Sequence, residues 1–202
     1  MYGFIQQKSK IFEKNGVCLS QLMDSGGLPA LFSGLSDVHR AHLTACLMAQ
    51  TDLPVFALCP DETAAEHFAR DLGALLGEPV PVLTAREFTF TAVDAVSRQE
   101  EQKRLGLLYS LLSDTPPRAV ACTVSGLLQR CIPPEQLRGA AFRLAVGEES
   151  SLEEAERRLL LCGFQRTEQV EGPGQFSRRG GILDFFTPGY AQPIRCEFWG
   201  DE

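Results

Sequence analysis

Short apolar runs alternate with amphipathic segments through the first two thirds of the chain. The runs at 54–59, 80–83 and 119–123 have the length and composition of buried strands. Segments with helical spacing of apolar positions separate them, and they span residues 36–50, 62–76, 97–112 and 125–130. This alternation of strand and helix predicts an α/β layer built on a mostly parallel sheet.

Residues that favour helix ends stand at several of these boundaries. Asp61 can cap the second helix, and Gly77 can end it in a left-handed conformation. Ser97 and Glu100 have the spacing of a capping box at the start of the third helix. The helix boundaries are therefore predicted from local chemistry as well as from periodicity.

The pattern changes after the pair Pro133 and Pro134. A strand is predicted at 141–146 and a helix at 152–162, and Ser151 with Glu154 would form the capping box of that helix. Three short strands follow at 175–178, 182–186 and 193–199. A helix with a small antiparallel sheet is an α+β arrangement, so we predict two domains, residues 1–138 and residues 139–202.

Alternation along the last predicted strand assigns its side chains to two faces. The face toward the core would carry apolar side chains, those of Ile194, Cys196 and Phe198. The opposite face would carry Arg195 and Trp199, the only tryptophan of the chain. An arginine beside a large aromatic side chain on an outer face is typical of a surface that binds a partner.

Composition narrows the classes of function. The net charge of −7 over 202 residues argues against a chain that holds nucleic acid by itself, since binding phosphates needs a basic surface. Seven scattered cysteines without a C-x-x-C pair indicate buried free thiols. We find no signal peptide and no apolar run long enough to span a bilayer, so a cytoplasmic location without membrane contact is expected.

Two groups of chemically active side chains are candidates for a metal site or a catalytic site. His39, His42 and Cys46 lie near one stripe of the first helix and could ligate a metal, but no fourth ligand is placed with them. Packing of these side chains is favoured, and no metal is expected. The carboxylates Glu168, Glu171, Asp184 and Glu197 have no partner for acid–base or nucleophilic work, so no catalytic residue is predicted.

Arg178, Arg179 and Arg195 gather on adjacent predicted strands of an otherwise acidic chain. They could form surface ion pairs with Asp184 and Glu197, which contribute little to stability. They could instead form an interface patch, because arginine and tryptophan are enriched where partners bind. The residues alone leave both interpretations open.

The two segments RRGGILDFFTPG and PIRCEFWGDE closely resemble a signature shared by transcription-repair coupling factors and UvrB. In UvrB a long tyrosine-rich hairpin probes damaged DNA, whereas residues 86–106 of this chain form a short linker and a helix. The chain therefore resembles the N-terminal module of the coupling factors more closely, and the resemblance covers nearly all of it.

UvrB-type helicases carry a phosphate-binding loop where this chain has residues 34–41. That loop needs a second glycine, a lysine and a hydroxyl. His39, Arg40 and Ala41 occupy those places here, and Gly34 alone fits. The resemblance thus implies a P-loop-like α/β domain with a degenerate Walker A site and no nucleotide cofactor.

In these families the small domain docks UvrA, and the contact residues of the family fall on Arg179, Arg195 and Trp199. The resemblance implies an N-terminal fragment of a bacterial coupling factor, truncated at its C-terminal end. Such a fragment would be a non-enzymatic adaptor that recruits nucleotide excision repair to stalled RNA polymerase. Its parent would be an ATP-dependent translocase on double-stranded DNA.

Two alternatives remain at this point. The chain could be a UvrB-like helicase fragment that binds ATP and damaged DNA. The UvrA surface could also be masked by the rest of the parent protein until repair begins, which is compatible with an adaptor.

Overall fold

The computed structural model describes residues 29–85, 94–187 and 190–199, and for residues 94–99 it describes the backbone alone. Described residues within Met1–Ala85 and Pro117–Leu128 form one compact unit, called unit 1, and those within Arg86–Pro116 and Gln129–Glu202 form unit 2. The predicted domains, residues 1–138 and 139–202, stay a prediction.

The described helices and strands follow one another in the order α1 (Asp37–Gln50), β1 (Val55–Cys59), α2 (Glu62–Leu76), β2 (Val82–Leu83), α3 (Asp94–Ser110), β3 (Ala119–Thr123), α4 (Val124–Leu128), α5 (Pro134–Ala140), α6 (Leu152–Leu161), β4 (Gln165–Arg166), β5 (Gln175–Arg179), β6 (Ile182–Phe185) and β7 (Ile194–Glu197).

Unit 1 contains a three-stranded parallel sheet in the order β1-β3-β2. Small side chains of α1, at Ala41 and Ala45, let this helix pack closely in a core with Leu72 of α2 and Ala119 of β3. The predicted α/β arrangement on a parallel sheet is confirmed.

The central strand and the edge strand of this sheet differ in burial. All five residues of β3 are buried because neighbours lie on both of its sides. On β1, which lies at the edge of the described sheet, Phe56 is 47% exposed and Leu58 is 56% exposed. The prediction of a strand at 54–59 is confirmed, but its burial was overestimated.

The predicted caps of α2 are present. The Asp61 carboxylate accepts a hydrogen bond from the Ala64 amide at 2.8 Å. At the other end Gly77 has a φ of 78°, and its amide donates to the Gly73 carbonyl at 2.8 Å. The capping box predicted at Ser97 and Glu100 is wrong. Helix α3 begins at Asp94, so Ser97 lies inside the helix and not at its start.

Unit 2 contains a four-stranded sheet in the order β4-β5-β6-β7. Strands β5, β6 and β7 are antiparallel as predicted, whereas β4 pairs with β5 in parallel, so the sheet is mixed. Helix α6 packs on one face, where Leu152, Ala155 and Leu159 meet Phe176 and Leu183 in a buried cluster.

The strand predicted at 141–146 is wrong. Pro134 begins α5 at a position where a missing amide hydrogen costs no helical hydrogen bond, and residues 141–146 that follow form no strand. Phe142 and Leu144 still pack against the core of unit 2. The alternation of apolar residues in this segment therefore reflects the packing of their side chains against the core, and not the pairing of a strand.

Candidate functional site

The register of the four-stranded sheet separates two sets of side chains. Phe176, Leu183 and the half-buried Cys196 pack in the core that α6 covers. Residues next to them in sequence point the other way because side chains alternate along a strand. Ser177 pairs with Asp184, and Asp184 pairs with Arg195, across the three antiparallel strands. We call the face that carries Ser177, Arg179, Asp184 and Arg195 the outer face.

The turn between β5 and β6 fixes the far end of this sheet. Gly180 has a φ of 59°, which strains residues with side chains. A Cβ atom on Gly181 would lie 2.8 Å from the Phe198 carbonyl oxygen. The Phe198 amide donates to the Gly181 carbonyl at 2.8 Å, so the glycine pair lets the chain after β7 approach the turn.

Arg195 is held by the residue directly across from it. Its Nε donates to Oδ1 of Asp184 at 2.7 Å and its Nη2 donates to Oδ2 at 2.9 Å. The Arg195 side chain is 62% exposed, whereas that of Asp184 is 22% exposed. The hydrogen bonds from Arg195, and the positive charges of Arg195 and Arg179, hold the pKa of the Asp184 carboxyl below its usual value.

Arg179 is held by a backbone oxygen. Its Nη2 donates to the Glu168 carbonyl at 2.6 Å, and the buried Ser177 hydroxyl donates to the same oxygen at 3.1 Å. The segment that contains Glu168 is thereby tied to the outer face, beside Arg179.

A groove of about 520 Å³ lies along the outer face. Arg179 and Arg195 both line it, together with Asp184 and the segment 168–170. Two of the arginines that the sequence placed on neighbouring strands therefore face one concave surface.

Arg178 lies apart from them, on the face that α6 covers. Its guanidinium donates to Glu156 and to Glu153 of α6, in both cases at 2.8 Å. The predicted cluster of three arginines is thus divided, because consecutive residues of β5 point to opposite faces. Of the three, Arg179 and Arg195 share the outer face.

Trp199 follows β7 and is 80% exposed. The preceding residue, Phe198, packs against the core of unit 2, as does Cys196. The predicted inward direction of Cys196 and Phe198 is confirmed, and Ile194 is half-buried.

The segment compared with a phosphate-binding loop leads into α1. Gly34 has a φ of 74°, and the Ser36 hydroxyl lies 3.1 Å from Nδ1 of His39. Arg40 forms an ion pair with Asp37 at 3.2 Å, and Ala41 is fully buried in the core. The side chains of Ser36, His39 and Arg40 are thus engaged at the start of α1, and that of Ala41 packs in the core of unit 1.

The histidines weighed as metal ligands have local contacts. Nε2 of His42 lies 3.7 Å from the Cys46 sulfur, and burial raises the pKa of the Cys46 thiol. Across the described ranges, no three histidine, cysteine, aspartate or glutamate side chains are grouped so that they could hold a metal ion.

Sequence reasoning missed one part of the groove. The sequence offered only the carboxylate of Glu168, without a catalytic role, whereas in the structure the backbone carbonyl of this residue holds Arg179 and Ser177. A backbone oxygen in a loop carries no side-chain signature, so no sequence signal could have placed it.

None of the helices in the part of the chain that the structure describes has both the length and the apolar composition needed to cross a membrane.

Comparison with known proteins connects this surface to a family. Residues 142–202 match the family described as UvrB interaction domain. The chain is 32% identical over 197 residues to the transcription-repair-coupling factor of Myxococcus xanthus, covering 93% of this chain and 16% of that protein. It is 27% identical over 174 residues to the factor of Bacillus subtilis, covering 85% of this chain and 15% of that protein.

The factor of Escherichia coli is 27% identical over 179 residues, with 87% of this chain and 15% of that protein covered. The chain therefore spans about one sixth of the length of the curated relatives that it matches. The resemblance to coupling factors expected from the sequence is confirmed.

Proposed function

We propose that this protein is an adaptor that binds UvrA. Residues 142–202 match the UvrB interaction domain family, and the chain is similar to about one sixth of a transcription-repair-coupling factor. In the whole factor this contact recruits nucleotide excision repair to stalled RNA polymerase. The adaptor acts in the cytoplasm, while other parts of the factor engage RNA polymerase and double-stranded DNA.

The observation that carries the proposal is the shared groove of Arg179 and Arg195 on the outer face, with Trp199 exposed beyond the end of β7. Arginine and tryptophan are enriched among residues that dominate binding energy at protein interfaces. A guanidinium offers several donors in a fixed plane and suits carboxylates of a partner. Arg179, Arg195 and Trp199 are the contact residues of this proposal.

The surroundings of α1 support an adaptor without a nucleotide site in unit 1. At the position where a P-loop needs a hydroxyl for Mg²⁺, Ala41 has a fully buried methyl group. Arg40, in the place of the lysine, is paired with Asp37. We infer a P-loop-like unit whose Walker A site is degenerate, so the fragment binds its partner without catalysis.

The test is binding of purified UvrA to single variants of this chain, measured by calorimetry. Arg179→Ala and Arg195→Ala should each weaken binding about thirtyfold, as truncations of hot-spot residues do. Arg157→Ala is the matched control, because Arg157 is 61% exposed and is bound by Glu154 through two hydrogen bonds, yet it lies on α6.

The control variant should bind UvrA as the unchanged chain does. Equal affinity for Arg195→Ala and Arg157→Ala would place the docking surface elsewhere.

A further inference from the structure

We propose that Asp184 is a positioning residue of the docking surface. It holds the guanidinium of Arg195 in the orientation that binds UvrA. This inference rests on the proposed function and adds a residue that makes its contribution through Arg195.

The contact between the two residues is specified by the backbone. Asp184 and Arg195 are direct partners in the register of β6 and β7, so neither residue depends on a loop for its position. Both carboxylate oxygens are used, one by Nε and one by Nη2. Two parallel hydrogen bonds fix the plane of the guanidinium as well as its location.

The depths of the two side chains set their roles. Asp184 is 22% exposed and Arg195 is 62% exposed, so the carboxylate lies low on the sheet and the guanidinium lies closer to solvent. An arginine has five N–H donors. The pair with Asp184 uses the Nε donor and one Nη2 donor, which leaves both Nη1 donors and the second Nη2 donor for a partner.

Asp184 could act on binding in two opposite ways. Its negative charge offsets that of Arg195 and competes with a carboxylate of the partner, which would weaken binding. Its hydrogen bonds also remove the rotational freedom of a long side chain before the partner arrives, which strengthens binding because less order remains to be imposed.

The geometry favours the second effect. The donors that Asp184 uses are on one edge of the guanidinium, and the remaining donors are available while the pair stays intact. Arg179 adds a second positive charge on the same groove, so the groove keeps a cationic side chain that Asp184 does not bind. Positioning is therefore the dominant role.

The experiment compares Asp184→Asn with the unchanged chain in UvrA binding by calorimetry. The amide keeps the size of the side chain and removes the charge and one of the two acceptors. Binding should weaken about three- to tenfold, the range expected when one arginine must be ordered on binding. Glu154→Gln is the matched control, since Glu154 holds Arg157 and Arg158 on α6, and it should leave binding unchanged.

A double variant separates positioning from a general structural effect. With Arg195 already replaced by alanine, Asp184→Asn should change the affinity by less than about twofold, because no guanidinium remains to be positioned. A further loss of the same size in that background would overturn the inference. Unchanged or tighter binding by the single variant Asp184→Asn would also overturn it, and tighter binding would show competition.

Two further outcomes keep the proposals distinguishable. If Arg195→Ala binds UvrA normally, the proposed function fails. If Arg195→Ala weakens binding and Asp184→Asn does not, the positioning role alone fails.

If thermal unfolding shows that Asp184→Asn does not fold, the variant Arg195→Lys tests the inference in its place, because lysine keeps the charge but cannot form the two parallel hydrogen bonds. Unchanged binding by Arg195→Lys would overturn the inference, and a loss of about threefold or more would support it.

Discussion

Arg178 and Arg195 each donate two hydrogen bonds to carboxylates, on opposite faces of the same sheet. Arg178 is 28% exposed and joins β5 to α6 through Glu153 and Glu156. Arg195 is 62% exposed and pairs with Asp184 within the sheet. The first arginine therefore fastens two elements of unit 2 together, while the second remains accessible to a partner.

At the residue scale, Trp199 and Phe198 have opposite predicted effects. Trp199→Ala should change the free energy of unfolding by less than about 0.5 kcal/mol, because the side chain is exposed. It should weaken UvrA binding about thirtyfold, as loss of an aromatic anchor does. Phe198→Ala should destabilise unit 2 by about 3 kcal/mol, since Phe198 packs against its core.

Denaturant unfolding and calorimetric binding measure the two quantities, and Tyr190→Ala serves as a control for an exposed aromatic residue. A variant Trp199→Ala that unfolds, together with a stable Phe198→Ala, would contradict the assignment of faces at the end of β7.

At the scale of elements, the start of α6 forms half of the predicted capping box. The Ser151 hydroxyl accepts a hydrogen bond from the Glu154 amide at 3.3 Å. The Glu154 carboxylate binds Arg157 and Arg158. Charged neighbours thus compete with the backbone for this carboxylate, and spacing alone could not predict which partner it takes.

The pairing of Glu154 predicts how the stability of unit 2 depends on pH. Hydrogen bonds from Arg157, which has the larger effect, and from Arg158 lower the pKa of Glu154 from 4.5 to about 2. Since the folded-state pKa is the lower one, the stabilisation is present above pH 4.5 and is lost as the pH falls toward 2. The group is exposed, so the effect should be small and should shrink as salt is added.

The check is the melting temperature of the unchanged chain and of Glu154→Gln between pH 6 and pH 2 at low salt. The unchanged chain should melt higher at pH 6, and the difference should close as the pH approaches 2. A difference that stays constant over this range would show that the carboxylate charge does not contribute.

At the scale of the whole chain, the sequence predicted elements best where a local signal and burial agree. Asp61 and Gly77 delimit α2 as predicted, since a cap acts within a few residues of its own position. The strand predicted at 141–146 failed because Phe142 and Leu144 are packed without a pairing strand, which depends on tertiary contacts.

The candidate site was predicted in part. Alternation and the family resemblance together indicated Arg179, Arg195 and Trp199, and one pairing weighed for Arg195, with Asp184, is present in the structure. Alternation along β5 puts Arg178 and Arg179 on opposite faces, and the strand register decides which of them shares a face with Arg195. The Glu168 carbonyl could not be predicted, because its role depends on where a loop lies over the sheet.

The overall charge of the chain leads to a last prediction, concerning DNA. With a net charge of −7, the chain as a whole repels phosphates, whereas DNA binding strengthens with the number of phosphates that a protein neutralises. We expect no binding to intact or lesion-bearing duplex at about 0.15 M salt, the physiological range, in fluorescence anisotropy. Weak binding at lower salt should be equal for the two duplexes and should disappear as salt rises, since contacts to phosphates carry no lesion information.

The variants Arg179→Ala and Arg195→Ala would reduce this weak binding to DNA without changing the ratio of the affinities for the two duplexes. Salt-resistant binding that discriminates the lesion would instead favour the UvrB-like alternative, in which this chain itself contacts damaged DNA.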